Sequence, residues 1–464
     1  MGLLGHLQVP FDVMSTIFEI SANDSRSVSG SSGFIARSID LCLVSREWQA
    51  IAHSTHRLWT HVRIRREKDT LTKEHLKLAI AYLARSKGLP CYLHIDIEYE
   101  DLPSEDAKSI IHELVKPNLP RMEMLDIFGS PKFLRAALDL FPLQCPKLEG
   151  FGFGRPDRAP LEDGRDLEIP DSTFLQCPLL VFLELVDISP KREATLGSFK
   201  ALQALWPLCE IVLENIPLDY MDVYQLLSSC QEVLGSCKFI AKDEIPGPVV
   251  ELPPITLHNL RDIHLSSLCH VSLLDSLTLP ALRSLRLCAV DDVDGHCLYA
   301  LCKRSQFDLV TFVATGFLFE ADELCEILTD NPRLSTLLLE LSEVGDFEQL
   351  FLHLAGRNEA AYNFPALIDL TVSESEAPMG AADYLAVLEF LVSRSRLWDS
   401  GARLRVDPEA PPMQDITAAD AFRIAHGLKR LMHLTEATFM VKCLCKLFPN
   451  LPEVCWCEFN DGSA

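Results

Sequence analysis

The chain has few basic side chains for its size. It contains 42 lysines and arginines against 66 aspartates and glutamates, which gives a formal net charge of −24. Because that mean field would repel a phosphate backbone, nucleic acid is not an expected partner. The sequence also has no stretch near the roughly 18 uninterrupted apolar residues that a membrane helix needs. We therefore expect a globular chain that does not bind a membrane.

Targeting signals are also lacking. The segment Met1 to His6 does not have the charged start of a secretory signal, and it has His6 where myristoylation favours Ser or Thr. Sixteen cysteines are scattered among apolar residues, a use of Cys as a small buried side chain that is typical of a reducing compartment. These features predict a cytoplasmic and/or nuclear protein.

Short catalytic motifs are missing as well. There is no phosphate-binding Gly-x-x-x-x-Gly-Lys-Ser/Thr, no Gly-x-Ser-x-Gly and no His-Glu-x-x-His. The run Gly150 to Gly154 lacks the spacing and the following helix of a dinucleotide fingerprint. We therefore expect no catalytic residue and no cofactor, although an active site assembled from distant residues stays open as an alternative.

Two cysteine pairs near the end of the chain are candidates for a metal site. Cys443 and Cys445, with Cys455 and Cys457, could gather a zinc ion, but zinc pairs more often leave two or more residues between the ligands. Core packing is the favoured interpretation. Three clustered histidines have Ser, Thr and Arg as neighbours and are expected to be exposed: His53, His56 and His61. No metal is predicted.

Helical periodicity marks the first sixty residues. Residues 10–20 open with a proline suited to a first helical turn and carry apolar side chains at helical spacing. A Ser- and Gly-rich loop is expected over 21–33, where the helix should end. Apolar residues resume from Ile39 to Ile51 on one face of a second helix. So small a unit buries little of its surface, and we expect it to dock against a neighbour.

The order of residues in this segment resembles the F-box. The landmarks are Val9-Pro10-Phe11-Asp12-Val13 with Ile17-Phe18, then Leu43-Val44-Ser45-Arg46-Glu47-Trp48, then Leu58-Trp59. The family has Leu, Glu and Cys where this chain has Val9, Asp12 and Ser45. Ordinary core helices would explain the periodicity but not the ordered Pro, Trp and Leu-Trp landmarks.

The resemblance implies a helical motif that docks on the Skp-type adaptor of a cullin-RING ubiquitin ligase. The residues that it implies as shaping or presenting the adaptor contact are Pro10, Phe11, Val13, Met14, Ile17, Phe18, Leu43, Val44, Trp48, Leu58 and Trp59. Some of these must form the core of the motif itself.

A second pattern, Leu-x-x-Leu-x-Leu, recurs through the rest of the chain. Its clearest copies start at Leu180, Leu282 and Leu334. Looser copies start at Tyr92, Met122, Leu148, Leu208, Leu234, Leu260, Leu309 and Leu367, and weak ones at Leu434 and Val454. This recurrence predicts repeats of leucine-rich type. A compact α/β domain with leucine-rich strands is the alternative.

Each copy predicts one short strand, because its last two apolar positions point to the same side of a pleated backbone. The segment between copies, such as Val290 to Ser305, would form the return helix or loop. Residues between the inward pair face outward and form a candidate binding surface for a protein substrate: Glu184, His264, Arg286, Val313, Leu338 and Thr371. Segments 241–256 and 400–415, rich in Pro, Gly and Asp, are expected to be loops or insertions.

The sequence therefore predicts an α/β protein in two parts. Residues 1–64 form an F-box-like helical motif and residues 65–464 a leucine-rich-repeat-like solenoid with a parallel strand ladder. The expected function is that of a non-catalytic substrate receptor of an SCF-type ligase, with a repeat scaffold without ligase role as the alternative. The basic run Arg63 to Lys68 could be an acidic-partner patch or a nuclear signal, but a solvated connector is favoured.

Overall fold

The structure is a computed structural model. It describes residues 10–24, 37–66, 73–97, 104–155, 168–169, 177–190, 208–216, 218–241, 251–267, 271–341, 369–374 and 403–406. The weak repeats at Leu434 and Val454 and the four C-terminal cysteines lie outside these ranges. By its internal contacts the chain divides into two compact units, Met1–Pro217 and Leu218–Ala464. The division at residues 64 and 65 stays a prediction.

The first unit begins with three helices that form the predicted N-terminal motif, here called the head. They are α1 (Phe11–Asp24), α2 (Arg37–Val44) and α3 (Arg46–Ser54), followed by a 3-10 turn, His56–Trp59. Two details differ from the prediction. Helix α1 continues past Ser21 to Asp24, and the expected second helix is two helices, because Ser45 has an extended backbone and its hydroxyl accepts a hydrogen bond from Trp48 N as the N-cap of α3.

The rest of the first unit alternates strands and helical segments. Its helices are α4 (Lys73–Arg85), α5 (Ser104–Ser109) and α6 (Pro131–Ala137), with a π-helical segment at Ile110–Val115 and 3-10 turns at Lys116–Arg121 and Leu138–Leu140. Its strands are β1 (His61–Arg66), β2 (Cys91–Ile97), β3 (Met122–Gly129), β4 (Gly150–Gly154), β5 (Glu168–Ile169), β6 (Phe182–Val186), β7 (Ser189–Pro190) and β8 (Glu210–Ile216).

Six strands of the first unit form a parallel ladder in the order β1-β2-β3-β4-β6-β8, and β5 pairs separately with β7. The inward pairs of the repeats are buried in every one of these six strands, from Val62 and Ile64 in β1 to Ile211 and Leu213 in β8. Stacking therefore pools apolar side chains that no single turn could cover.

The second unit repeats the same construction. Its helices are α7 (Tyr220–Ser229), α8 (Val271–Ser276), α9 (His296–Ser305) and α10 (Ala321–Thr329). Its strands are β9 (Ser236–Ala241), β10 (Ile255–Thr256), β11 (Asp262–Ser266), β12 (Leu277–Thr278), β13 (Ser284–Asp294), β14 (Thr311–Leu318), β15 (Thr336–Leu341), β16 (Asp369–Glu374) and β17 (Arg403–Val406).

Seven strands of the second unit form a parallel ladder in the order β9-β11-β13-β14-β15-β16-β17, with β10 and β12 paired beside it. The predicted return segment is confirmed as α9, with Leu298 and Leu301 fully buried, although β13 extends through Val290 to Asp294. The expectation of a loop over 400–415 is wrong at Arg403–Val406, which is a ladder strand.

Buried polar side chains join successive turns in the second unit. Asn331 accepts a hydrogen bond from Leu309 N at 2.7 Å through its Oδ1 and donates to Ile327 O at 2.7 Å through its Nδ2. Ser305 Oγ likewise accepts from Leu279 N at 3.0 Å. Since an unpaired buried backbone N–H is costly, these two side chains stabilise the turn that precedes each strand.

The fold class is therefore α/β, with N-terminal helices followed by parallel strand ladders of leucine-rich-repeat type. Each of the eleven predicted copies from Tyr92 to Leu367 overlaps or directly precedes a ladder strand. The expectation of a connector over the basic run is wrong at Arg63 to Arg66, which belong to strand β1, and Lys68 lies outside the described residues.

Candidate protein-binding surfaces

The head has a core of its own that α4 completes. Trp59 is 2% exposed and its indole N–H donates to Ala52 O at 2.8 Å. The Tyr82 ring from α4 lies edge-on to the Trp59 ring at 4.8 Å, and the Arg85 guanidinium lies 5.1 Å from the Trp59 ring centroid. The neighbour on which the head docks is thus part of the same chain.

Hydrogen bonds fix this docking. The Tyr82 hydroxyl lies 2.8 Å from Leu58 O, to which it donates, and 2.9 Å from Ser38 Oγ. Within the head, Thr55 Oγ1 lies 3.0 Å from Ser15 Oγ and joins the end of α3 to α1. The head and the first repeat turn therefore share one buried network, and α4 holds the head in a fixed position on the first strand turn.

Several predicted adaptor-contact residues are buried in this core. Phe18, Leu58 and Trp59 are 1%, 4% and 2% exposed, so they shape the head and offer no side-chain surface to another protein. Trp48 and Met14 are half-buried, and the Trp48 ring packs against the Phe18 ring at a centroid distance of 5.0 Å.

The other predicted residues remain exposed and apolar. We name the following six the apolar head surface: Phe11, Val13, Ile17, Ile20, Leu43 and Val44. They supply six of the ten large hydrophobic side chains that are exposed in the described part of the chain, and Leu43 is the most exposed at 77%. Pro10 is also exposed. Single exposed apolar residues are normal on a protein surface, but a group of them on neighbouring helices is not. This surface is therefore a candidate contact site.

The apolar head surface follows from the local sequence. Val13, Ile17 and Ile20 have the spacing of one face of α1, while Phe18 turns inward on the same helix. Leu43 and Val44 end α2 directly before Ser45, and α2 contacts α1. Ile20 was noted for its periodicity but not predicted as a contact residue; its place three positions after Ile17 was the available signal.

The outward row of the strands divides between the two units. Glu184 lies in the first unit, in register with Gly152 and Val212. The other predicted residues form one continuous row in the second unit, because the register aligns His264, Arg286, Val313, Leu338 and Thr371 on five neighbouring strands. Lys238 of β9 and Arg405 of β17 extend this row at its two ends and were not predicted.

On its outward face the first unit carries histidines that contact neighbouring side chains. His94 Nδ1 lies 3.1 Å from Asp126 Oδ2, and the His61 ring stacks on the Tyr92 ring at 4.0 Å. The expectation of three exposed histidines is therefore correct for His53 but wrong for His61, which is half-buried. His56 is half-buried as well.

The glycine-rich strand β4 has a packing role. A Cβ at Gly152 would lie 2.7 Å from Asp126 Oδ1, and one at Gly154, where φ is +154°, would lie 2.1 Å from Val186 O. Glycine is required there by close approach of the neighbouring strands.

The described ranges contain neither a membrane-spanning helix nor a metal-ligand cluster. None of their helices has the length and apolar character to span a bilayer. In the same ranges, no three His, Cys, Asp or Glu side chains are grouped as ligands of a metal ion would be. The four cysteines Cys443, Cys445, Cys455 and Cys457 are not among these residues, so their core or zinc role stays a prediction.

No protein-family model matches the chain, and no curated protein matches it in sequence. Among solved structures it is similar to a complex of TLR13 with the single-stranded RNA ssRNA13 (14% identity, TM-score 0.31), covering 74% of this chain and 41% of that one. It is also similar to the yeast Rad7 and Elc1 complex (14% identity, TM-score 0.33, 77% and 92%). A third structure is the APL1 leucine-rich-repeat domain (12% identity, TM-score 0.31, 77% and 93%).

Proposed function

We propose that this chain is a non-catalytic substrate receptor of an SCF-type cullin-RING ubiquitin ligase, acting in the cytoplasm and/or nucleus. The head would dock on the Skp-type adaptor, and the strand ladders would bind a target protein. The observation that carries this proposal is the apolar head surface, which concentrates exposed hydrophobic side chains on the two helices that carry the F-box-like landmarks.

Exposure of these side chains is unfavourable in the isolated chain. A fully covered Val, Leu, Ile or Phe contributes about 1.5–3 kcal/mol relative to full exposure, so half-exposed residues contribute on the order of 1 kcal/mol each when a partner covers them. The head core does not need these residues, because Trp59, Phe18 and α4 already form it. Their apolar character is therefore better explained by an external partner than by packing.

The outward faces of the ladders fit the second part of the role. Strands buried on one side by leucines leave a row of half-exposed side chains on the other, and rigid repeats present such rows as binding surfaces. Within this proposal, catalysis belongs to other subunits.

Substitution of Leu43 tests the adaptor contact. We expect the purified full chain to bind a Skp-type adaptor in isothermal titration calorimetry, and L43E to weaken that binding by about a hundredfold, because it would bury an unpaired carboxylate in an apolar contact. The matched control is L179E, which places the same charge at a leucine 50% exposed on a turn before β6. It should bind like the wild type.

Two outcomes would contradict the proposal. Absence of adaptor binding by the well-folded wild-type chain would favour a repeat scaffold without a ligase role. Equal loss of binding in L43E and L179E would show that a general charge effect, and not the apolar head surface, determines the interaction. Circular dichroism of each variant checks that the fold is retained.

A further inference from the structure

The outward row of the second unit changes character along its length. Lys238, His264 and Arg286 lie side by side on β9, β11 and β13, and Val313 and Leu338 continue the row on β14 and β15. We call these five residues the basic-apolar strip. Arg286 is exposed and the other four are half-exposed.

A second set of exposed residues, directly before three of these strands, also changes from basic to apolar. Arg261 and Arg283 precede β11 and β13, and Val310, 39% exposed, precedes β14. Their backbones are neighbours, since Arg283 N donates to Arg261 O at 2.8 Å and Val310 N donates to Arg283 O at 2.7 Å. Arginines thus lie directly before β11 and on and directly before β13, whereas apolar residues lie on and directly before β14.

Positive charge dominates the basic end. Three exposed arginines lie there, Arg261, Arg283 and Arg286, and among the paired residues of β9, β11 and β13 (236–240, 262–266 and 284–288) the one carboxylate is that of Asp262. The side chains of Arg283 and Arg286 make no hydrogen bond or ion pair with any residue that the structure describes. Such local charge is notable in a chain with a net charge of −24.

We propose that this strip binds an extended acidic peptide segment of the target, with carboxylates over β9, β11 and β13 and an apolar side chain over β14 and β15. This inference rests on the proposed function, whose substrate class it specifies. Charge complementarity selects the acidic end of the ligand, and contact with Val313 and Leu338 selects the apolar end.

The strip also sets the length of the ligand. Parallel strands lie about 4.8 Å apart, so the four steps from Lys238 to Leu338 span roughly 19 Å, which is the reach of about six extended residues. A nucleic acid fits less well, because Val313 and Leu338 offer no positive charge to a phosphate backbone and the strip has no Phe, Tyr or Trp side chain for base stacking.

The test uses a labelled peptide of three glutamates, one glycine and two leucines, made in both sequence orders, with fluorescence anisotropy on the full chain. We expect one order to bind, and R286E to weaken binding by about tenfold. The matched control is K116E, which makes the same charge change at an exposed residue of the first unit and should leave binding unchanged. Added salt should weaken binding, since exposed charges are screened.

The apolar half is tested by a second pair of changes. L338S should weaken binding of the leucine peptide but have little effect on a peptide in which both leucines are serines. The inference would be overturned if neither sequence order bound, if binding were equal after glutamine replaces glutamate, or if R286E and K116E lost binding equally. Tighter binding of a single-stranded oligonucleotide at the same residues would also overturn it.

Failure of this inference is distinguishable from failure of the proposed function. The adaptor contact is measured separately through L43E, which leaves the strip intact. Adaptor binding without peptide binding would reject only the acidic target segment, whereas peptide binding without adaptor binding would reject only the ligase role.

Discussion

The D187N variant is expected to lose about 3 kcal/mol of unfolding free energy, at the lower end of the range for breaking a buried ion pair. Asp187 Oδ2 lies 2.8 Å from Arg155 Nη1, and the two side chains are only 11% and 6% exposed. Removing the carboxylate charge takes the Asp187 counter-charge away from a buried guanidinium. The asparagine keeps the side-chain shape and tolerates the left-handed backbone at this position, where φ is 53°.

Position explains why this pair matters to the fold. Arg155 follows β4 and Asp187 follows β6, so the ion pair joins the ends of two neighbouring ladder strands. Backbone bonds reinforce it, since Arg155 N donates to Val186 O at 3.0 Å and Asp187 N donates to Glu214 O at 2.7 Å. We expect a weakened pair to loosen β4, β6 and β8 together.

Chemical denaturation followed by circular dichroism measures this effect, with D308N as the matched control. Asp308 pairs with Arg333 at 3.0 Å, but its side chain is 50% exposed and that of Arg333 is 76% exposed, so the same change should cost only about 0–1 kcal/mol. Adding R155M to D187N should recover part of the loss, because an apolar replacement removes the buried charge. If the double variant lost as much unfolding free energy as D187N and R155M lose separately in sum, this account would be contradicted.

The ladder strands could be predicted because each turn needs two inward apolar residues at fixed spacing. Leu285 and Leu287 of β13 are buried and in register with Phe312 and Ala314 of β14, which in turn are in register with the buried Leu337 and Leu339 of β15. The requirement for such a pair is visible in the sequence of each copy. Strand β17 was missed because only Leu404 and Val406 carry the pattern, between arginines and beside a Pro- and Asp-rich segment. Local composition there masks a strand that pairing with β16 stabilises.

Features that depend on distant partners left no trace in the sequence. The Arg155–Asp187 pair joins residues 32 positions apart, and neither neighbourhood identifies the other. The exposure of Leu43 and the burial of Phe18 also could not be separated by periodicity, because both lie on apolar helical faces and only packing decides which face is covered. The sequence alone also could not show that the residues of the basic-apolar strip are neighbours, because only the strand register aligns them.

The sequence also could not show which of the predicted head residues are buried. The landmarks Leu58 and Trp59 were predicted to shape or present the adaptor contact, and the structure places both in the core because Tyr82 covers them. The covering helix α4 lies outside the sequence range of the F-box-like motif. A head completed by the first repeat turn therefore depends on that turn for its stability, which makes its central residue a sensitive point.

The W59A variant is expected to lose about 3–5 kcal/mol, the range for truncating a buried aromatic side chain to alanine. It removes the contact with Tyr82, the cation–π contact with Arg85 and the hydrogen bond to Ala52 O. W59F keeps an aromatic ring but loses the indole N–H and part of the buried ring volume, and should cost less than W59A. The comparison variant W48A truncates a half-buried tryptophan and should cost less than W59A.

Thermal and chemical denaturation of these variants should be combined with the two binding assays. Because Trp59 couples the head to α4, we expect W59A to weaken adaptor binding while binding of the acidic peptide to the second unit is retained. If W48A destabilises the chain as much as W59A, the head is not organised around the Trp59–Tyr82 contact. If W59A instead abolishes peptide binding and spares adaptor binding, the head and the second unit do not have the separate roles proposed for them.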